Sequence, residues 1–162
     1  MKHLLLTTIA AVVLVGCAIP NRSITEKQAL GALKNYFNAA DVDNFDRKKI
    51  GLLLTGDFRI FEGGDFDQNQ FFGDVQKLLS TKNIISTNWE LSDFEVSLDK
   101  TSAHISYINE GTFVSLNSRS QKEMEKIKWL ESVYILQDQN GEIRIKFMHA
   151  AEISRESKIL SE

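Results

Sequence analysis

The spacing of apolar residues changes character at Thr81, and that change limits the folds open to this chain. Before it, apolar side chains recur every three or four residues. After it, they alternate. Ala29, Leu30, Leu33, Tyr36, Phe37 and Ala40 form one stripe of a first helix, opened by the capping box Ser23-x-x-Glu26. Residues 41–43 break the stripe. A second helix is predicted over residues 44–54, with Asp43 as cap and Phe45, Ile50, Leu53 and Leu54 apolar. Residues 58–61 read as a short strand, and Gly63-Gly64 as a turn. Asp67-x-x-Gln70 caps a third helix over residues 68–81, with Phe71, Phe72, Val75, Leu78 and Leu79 on its apolar face.

The second half reads as strands. Residues 84–98 alternate, but Trp89 and Leu91 lie on the opposite parity to Phe94, Val96 and Leu98, so a bulge is predicted near Ser92-Asp93. Residues 99–102 form a hairpin turn. That pairs Leu98 with Ala103, Val96 with Ile105 and Phe94 with Tyr107, which places six apolar or aromatic side chains on one face. The return strand runs to about Leu116, and residues 117–121 are polar and loop-like. Residues 123–137 begin with a charged run suited to a helix and end, from Trp129 to Leu136, in strand-like alternation. Asn140-Gly141 is a strong hairpin signal. Ile143, Ile145, Phe147, His149, Ala151 and Ile153 then share one parity, and residues 155–162 read as a polar tail.

Helices gathered before a run of antiparallel strands imply an α+β fold, with three helices packed on one face of a curved antiparallel sheet. A chain of 162 residues that is 43% hydrophobic can fill one such core. Its net charge of −3 and its lack of a Lys/Arg cluster argue against nucleic acid as a partner.

Residues 1–16 read as a secretory leader, with a short positive start followed by an apolar run from Leu4 to Val15 that is too short to span a bilayer. Leu14-Val15-Gly16-Cys17 resembles the lipobox of bacterial lipoproteins, in which the cysteine is acylated and becomes the mature N-terminus. Cys17 is the only cysteine, so once it is acylated the domain has no thiol left for a disulfide. The resemblance implies a bilayer partner through acylated Cys17 and a cell-envelope location. Ala18 in place of Asp favours the periplasmic face of the outer membrane over inner-membrane retention in a Gram-negative cell. Residues 17–23 form a short tether and residues 24–154 the domain.

A second resemblance covers residues 24–153. Residues 32–43 (ALKNYFNAADVD), 54–60 (LTGDFRI), 99–103 (DKTSA) and 140–149 (NGEIRIKFMH) resemble the first helix, helix-to-strand junction, middle hairpin and last hairpin of the nuclear transport factor 2-like superfamily. That superfamily includes polyketide-cyclase-like (SnoaL-like) and ketosteroid-isomerase-like proteins. The resemblance implies a cone-shaped α+β barrel enclosing a pocket, and a homodimer as a common assembly. Ile143 stands where the family commonly has Trp.

The candidate pocket residues are His149, Tyr107, Tyr134, Ser132 and Phe147. His149 sits among apolar parity partners, and an imidazole there can serve as a base or a ligand donor. The Asn140-Gly141 register sets Ser132 and Tyr134 opposite His149 and Phe147. Tyr107 shares a face with Phe94 and Ile105 and can donate a hydrogen bond. No metal site is expected, because His104 and His149 lie in different hairpins without a ligand series. Asp65, Asp67 and Asn69 lack the glycine and glutamate that complete a calcium loop. No phosphate loop, nucleophile elbow or Cys/His pair is present, so no cofactor is expected. The expectation is a membrane-anchored domain that binds a small apolar ligand or an envelope protein without catalysis. The alternative is a small cofactor-free isomerase, cyclase or hydrolase using His149 with Tyr107 or Ser132.

Overall fold

The computed structural model describes residues 23–81 and 83–160. The leader, Cys17 and most of the tether lie outside the described residues. Helix α1 (Glu26–Ala40) leads through a single 3-10 turn (Val42–Asn44) to α2 (Arg47–Leu53), β1 (Leu54–Phe61), β2 (Asp65–Asp67) and α3 (Gln68–Thr81). Four long strands follow: β3 (Ile84–Leu98), β4 (Ser102–Leu116), β5 (Lys122–Gln137) and β6 (Ile143–Ile159). The helices pack on a curved six-stranded sheet of order β2-β1-β6-β5-β4-β3, as the α+β expectation requires.

The sheet is mixed rather than antiparallel. β1 is longer than the sequence suggests and lies parallel to β6, pairing Ile60 with Met148 and Phe61 with His149. Its inward residues Leu54, Phe58 and Ile60 are buried with Ile145 and Met148 of β6. Ala29, Leu33, Tyr36 and Phe37 of α1 close the core from the other side.

Helix starts shift where a better cap stands nearby. Thr25 and Gln28, not Ser23 and Glu26, form the capping box of α1. Asp46 accepts from the backbone N–H groups of Lys48 and Lys49, so α2 begins at Arg47 and the preceding residues make the 3-10 turn. At α3 the cap is as expected, with Asp67 and Gln70 bonding reciprocally.

β3 and β4 end at the predicted residues. The bulge falls at Asp93, whose φ is 53°, between the pairs Ser92–Ile108 and Glu95–Ser106. β5 is strand throughout, with no helix in its charged first half. β6 continues through the residues read as a polar tail, pairing Arg155 with Ile127 and Ile159 with Glu123. A second bulge has larger consequences. Tyr134 pairs with Phe147 while Ile135 pairs with Ile145, so Lys146 is the extra residue. Beyond it the parity of β6 reverses. Met148 points into the core and His149 points out.

Candidate functional site

The second bulge separates the residues that the sequence groups together. The pairing of Ser132 with His149 and of Tyr134 with Phe147 holds. All four lie on the outer face of the sheet, however, where His149 and Tyr134 are exposed and Phe147 packs on Phe61 with ring centroids 5.2 Å apart. Tyr107 alone of the five faces inward, 1% exposed, with Phe94 stacked at 6.1 Å. The expected His149 cavity is therefore corrected: the structure separates His149 from Tyr107 by the thickness of the sheet.

The inner face holds a different set. Glu131 lies directly across from Tyr107 in the β4–β5 ladder, and Asn109 across from Trp129. The Tyr107 hydroxyl donates to Oε2 of Glu131, and Asn109 Nδ2 donates to Oε1 at 2.9 Å. Glu131 is 6% exposed and Asn109 1%. Burial pushes the Glu131 carboxyl up to about 7, against the two hydrogen bonds that favour its charged form; the negative charge of Glu62 adds to the rise. Burial and the Glu131 charge hold the Tyr107 phenol well above its usual range. Tyr36 of α1 is raised by burial, then by Glu131 and Glu62. The arrangement is a buried acid able to exchange a proton near neutrality, with a phenol in contact.

Signal for Glu131 was present in the sequence. It is a charged residue on the same parity as Trp129, Val133 and Ile135, opposite Tyr107. Reading the other parity, through Ser132 and Tyr134, passes over it.

Beyond Glu131 the inner face becomes aromatic. Trp89 of β3 lies 5.3 Å from Phe113 and 6.4 Å from Trp129 between ring centroids. Gly111 makes room for them: a Cβ there would sit 2.9 Å from Cζ3 of both tryptophans and 3.0 Å from Phe113. The indole N–H groups of Trp89 and Trp129, and Asn109 Oδ1, are buried without a full hydrogen bond among the described residues. Trp129 nevertheless stands close enough to Glu62 for its N–H to favour the charged carboxylate. Burial outweighs that and raises Glu62 overall.

Two clefts open here. One, of about 350 Å³, is lined by Glu62, Leu78, Ile84, Phe113, Ser115, Glu125, Ile127, Trp129 and Arg155. The other, of about 310 Å³, is lined by Ile60, Glu62, Phe66, Phe71, Asp74, Val75 and Leu78. They meet at Glu62 and Leu78. Tyr107, Asn109 and Glu131 line neither, so the buried acid lies behind the aromatic wall. No group of three potential metal ligands is assembled among the described residues.

No protein-family model and no curated protein matches the chain. Solved structures do. A nuclear transport factor 2-like superfamily protein from Salmonella enterica serovar Typhimurium superposes with a TM-score of 0.63 at 14% identity, covering 79% of this chain and 90% of its own. A ketosteroid isomerase-like protein from Erwinia carotovora atroseptica gives 0.60 at 14% identity, with 81% and 99% covered. A candidate scytalone dehydratase from Novosphingobium aromaticivorans gives 0.63 at 10% identity, with 80% and 85% covered. The chain has the nuclear transport factor 2-like fold. At these identities the likeness carries the fold and not the chemistry of any one relative. In this nuclear transport factor 2-like domain the first cleft opens between Leu78 of α3 and the strand residues Ile84, Ser115, Glu125 and Arg155; Phe113 and Trp129 line it, and Trp89 packs against both.

Proposed function

We propose that the protein is an envelope lipoprotein, acylated at Cys17, whose nuclear transport factor 2-like domain binds a small, mainly apolar ligand in the cleft beside Trp129. The observation that carries the ligand-binding part is the cleft itself. Its volume falls in the range of small-molecule sites, and its floor is apolar with a few convergent polar groups. Of the two tryptophans in the chain, Trp129 lines the cleft and Trp89 packs against it with ring centroids 6.4 Å apart. An uncharged apolar fluorophore, N-phenyl-1-naphthylamine, should therefore bind one to one and quench tryptophan emission by energy transfer. Ser115→Phe, which fills the cleft from β4, should weaken that binding at least about tenfold. Binding that is unaffected by Ser115→Phe would place the ligand elsewhere and end this reading.

The anchoring part rests on Leu14-Val15-Gly16-Cys17. Palmitate should label the wild-type protein in cells and leave Cys17→Ser unlabelled. Label that persists in the variant would defeat the anchor. One observation favours a second reading, a proton-transfer enzyme: Glu131 titrates near 7 in contact with Tyr107. That reading no longer involves His149. It requires a ligand that reaches past the aromatic wall, and turnover that Glu131→Gln abolishes.

A further inference from the structure

Resting on the reading of the cleft as a ligand site, we infer that its ligand is an amphipathic organic cation: a protonated or quaternary amine carrying an apolar body. The argument begins with the charges that line the two clefts. Glu62 stands where they meet, Asp74 lines one, and Glu125 and Arg155 line the other. Arg155 is already engaged. Its Nη1 lies 2.6 Å from Glu125 Oε1 and its Nη2 lies 2.6 Å from Glu152 Oε2. The one cation among the described lining residues is thus offset by two carboxylates and has little left to offer an anion.

Glu62 is in the opposite position. Its side chain is exposed at the mouth of the clefts, although neighbouring atoms shield its carboxyl enough to raise it, and it makes no ion pair among the described residues; the Trp129 N–H and, more weakly, the charge of Arg155 support its charged form. Partial shielding of a carboxylate without a direct ion pair disfavours its charged form, and a ligand cation beside Glu62 would offset that. Glu131, behind the wall, adds negative potential in the same direction, since the two carboxylates already repel each other. A carboxylate ligand would add negative charge beside Glu62. A neutral ligand would leave Glu62 without a direct ion pair.

The wall suits the apolar body of such a ligand. Trp129 and Phe113 present rings to the cleft, with centroids 6.3 Å apart and planes at 83°. Glu62 meets the edge of Trp129 through its N–H, so an ammonium group beside Glu62 would gain an ion pair there while the rings receive the apolar body. Leu78, Ile84 and Ile127 provide apolar surface for the rest of the molecule.

Three isosteric probes test this: 4-phenylbutylamine, 4-phenylbutanol and 4-phenylbutyrate, titrated into the full chain at neutral pH and low salt by calorimetry and tryptophan emission. The amine should bind at least about tenfold more tightly than the alcohol, and the butyrate least tightly. Glu62→Gln should erase the difference between amine and alcohol, and added salt should narrow it in the wild type. Asp74→Asn, at an exposed position, should cost the amine about twofold and serves if Glu62→Gln fails to fold. Alcohol or butyrate binding as tightly as the amine would overturn the cation inference and leave the ligand site standing. So would binding of N-phenyl-1-naphthylamine without binding of the amine. Failure of the dye and of all three probes would overturn both.

Discussion

At the scale of single residues, Glu131 is the most consequential side chain. A carboxyl whose folded value is raised binds its proton more tightly in the native state than in the unfolded chain. Between its ordinary 4.5 and about 7 the native protein therefore holds the extra proton. Stability is full below that window and falls as pH rises through it. Glu62, raised by burial, acts in the same direction. Asp57 and Glu152 act in the other. They are lowered by hydrogen bonds from Lys146 and Arg155 respectively, so they lose stability as pH falls below the ordinary carboxylate value. The unfolding free energy should therefore peak near about pH 5 and drop by about 3 kcal/mol toward pH 8, an order-of-magnitude figure from the Glu131 shift. Urea titrations across that range check it. Glu131→Gln should flatten the slope, and a wild-type slope that rises toward pH 8 would contradict the buried acid. His149 shows the limit of parity arguments. Its strand and its cross-strand partner were both legible, but the residue inserted at Lys146 turned the side chain to the other face.

At the scale of elements, legibility followed the range of the forces involved. The caps of α3, the hairpin at residues 99–102 and the bulge at Asp93 are local, and they stand in the sequence as they stand in the structure. The first half of β5 and the end of β6 are not local. Their charged residues look helical or unstructured in isolation, yet they answer partners on other strands. Lys126 contacts Glu110 of β4 at 2.5 Å, and Arg155 contacts Glu125 of β5. β1 covers β6 only between Ile145 and His149. The stretch of β6 from Ala150 onward has a strand beside it on one side among the described residues, and Arg155 ties it to β5. Exposed pairs contribute little to global stability, so Arg155→Ala should cost about 1 kcal/mol or less. Local opening should respond more strongly. Amide hydrogen exchange from Glu152 to Ile159 should speed several-fold in the variant while that of β4 stays unchanged. Uniform acceleration across the sheet would mean that Arg155 supports the whole fold.

At the scale of the molecule, the point of chain entry and the cleft lie at opposite ends of the sheet. The Ile24 N–H donates to the Lys100 carbonyl at 3.1 Å, fixing the start of α1 to the β3–β4 turn. The cleft gathers Ile84, Ser115, Glu125 and Arg155, which lie near the other ends of those strands. The run of β4 between them, at about 3.3 Å per residue, spans about 40 Å. Acylation at Cys17, as proposed above, would leave residues 17–24 a reach of about 25 Å at most. The turn would then face the bilayer and the cleft would open away from it, toward ligands arriving through water. A water-borne amphipathic cation fits that geometry better than a lipid drawn from the membrane. The arrangement is directly measurable, because Cys17 is the only cysteine and its proposed acylation would leave no competing thiol. A fluorophore attached to Lys100→Cys should be quenched by brominated lipids when the acylated protein sits on vesicles. The same fluorophore at Ser118→Cys, in the exposed loop after β4, should not be. Equal quenching at both sites would lay the domain on its side, and stronger quenching at Ser118 would turn the cleft toward the membrane and make lipid its natural source of ligand.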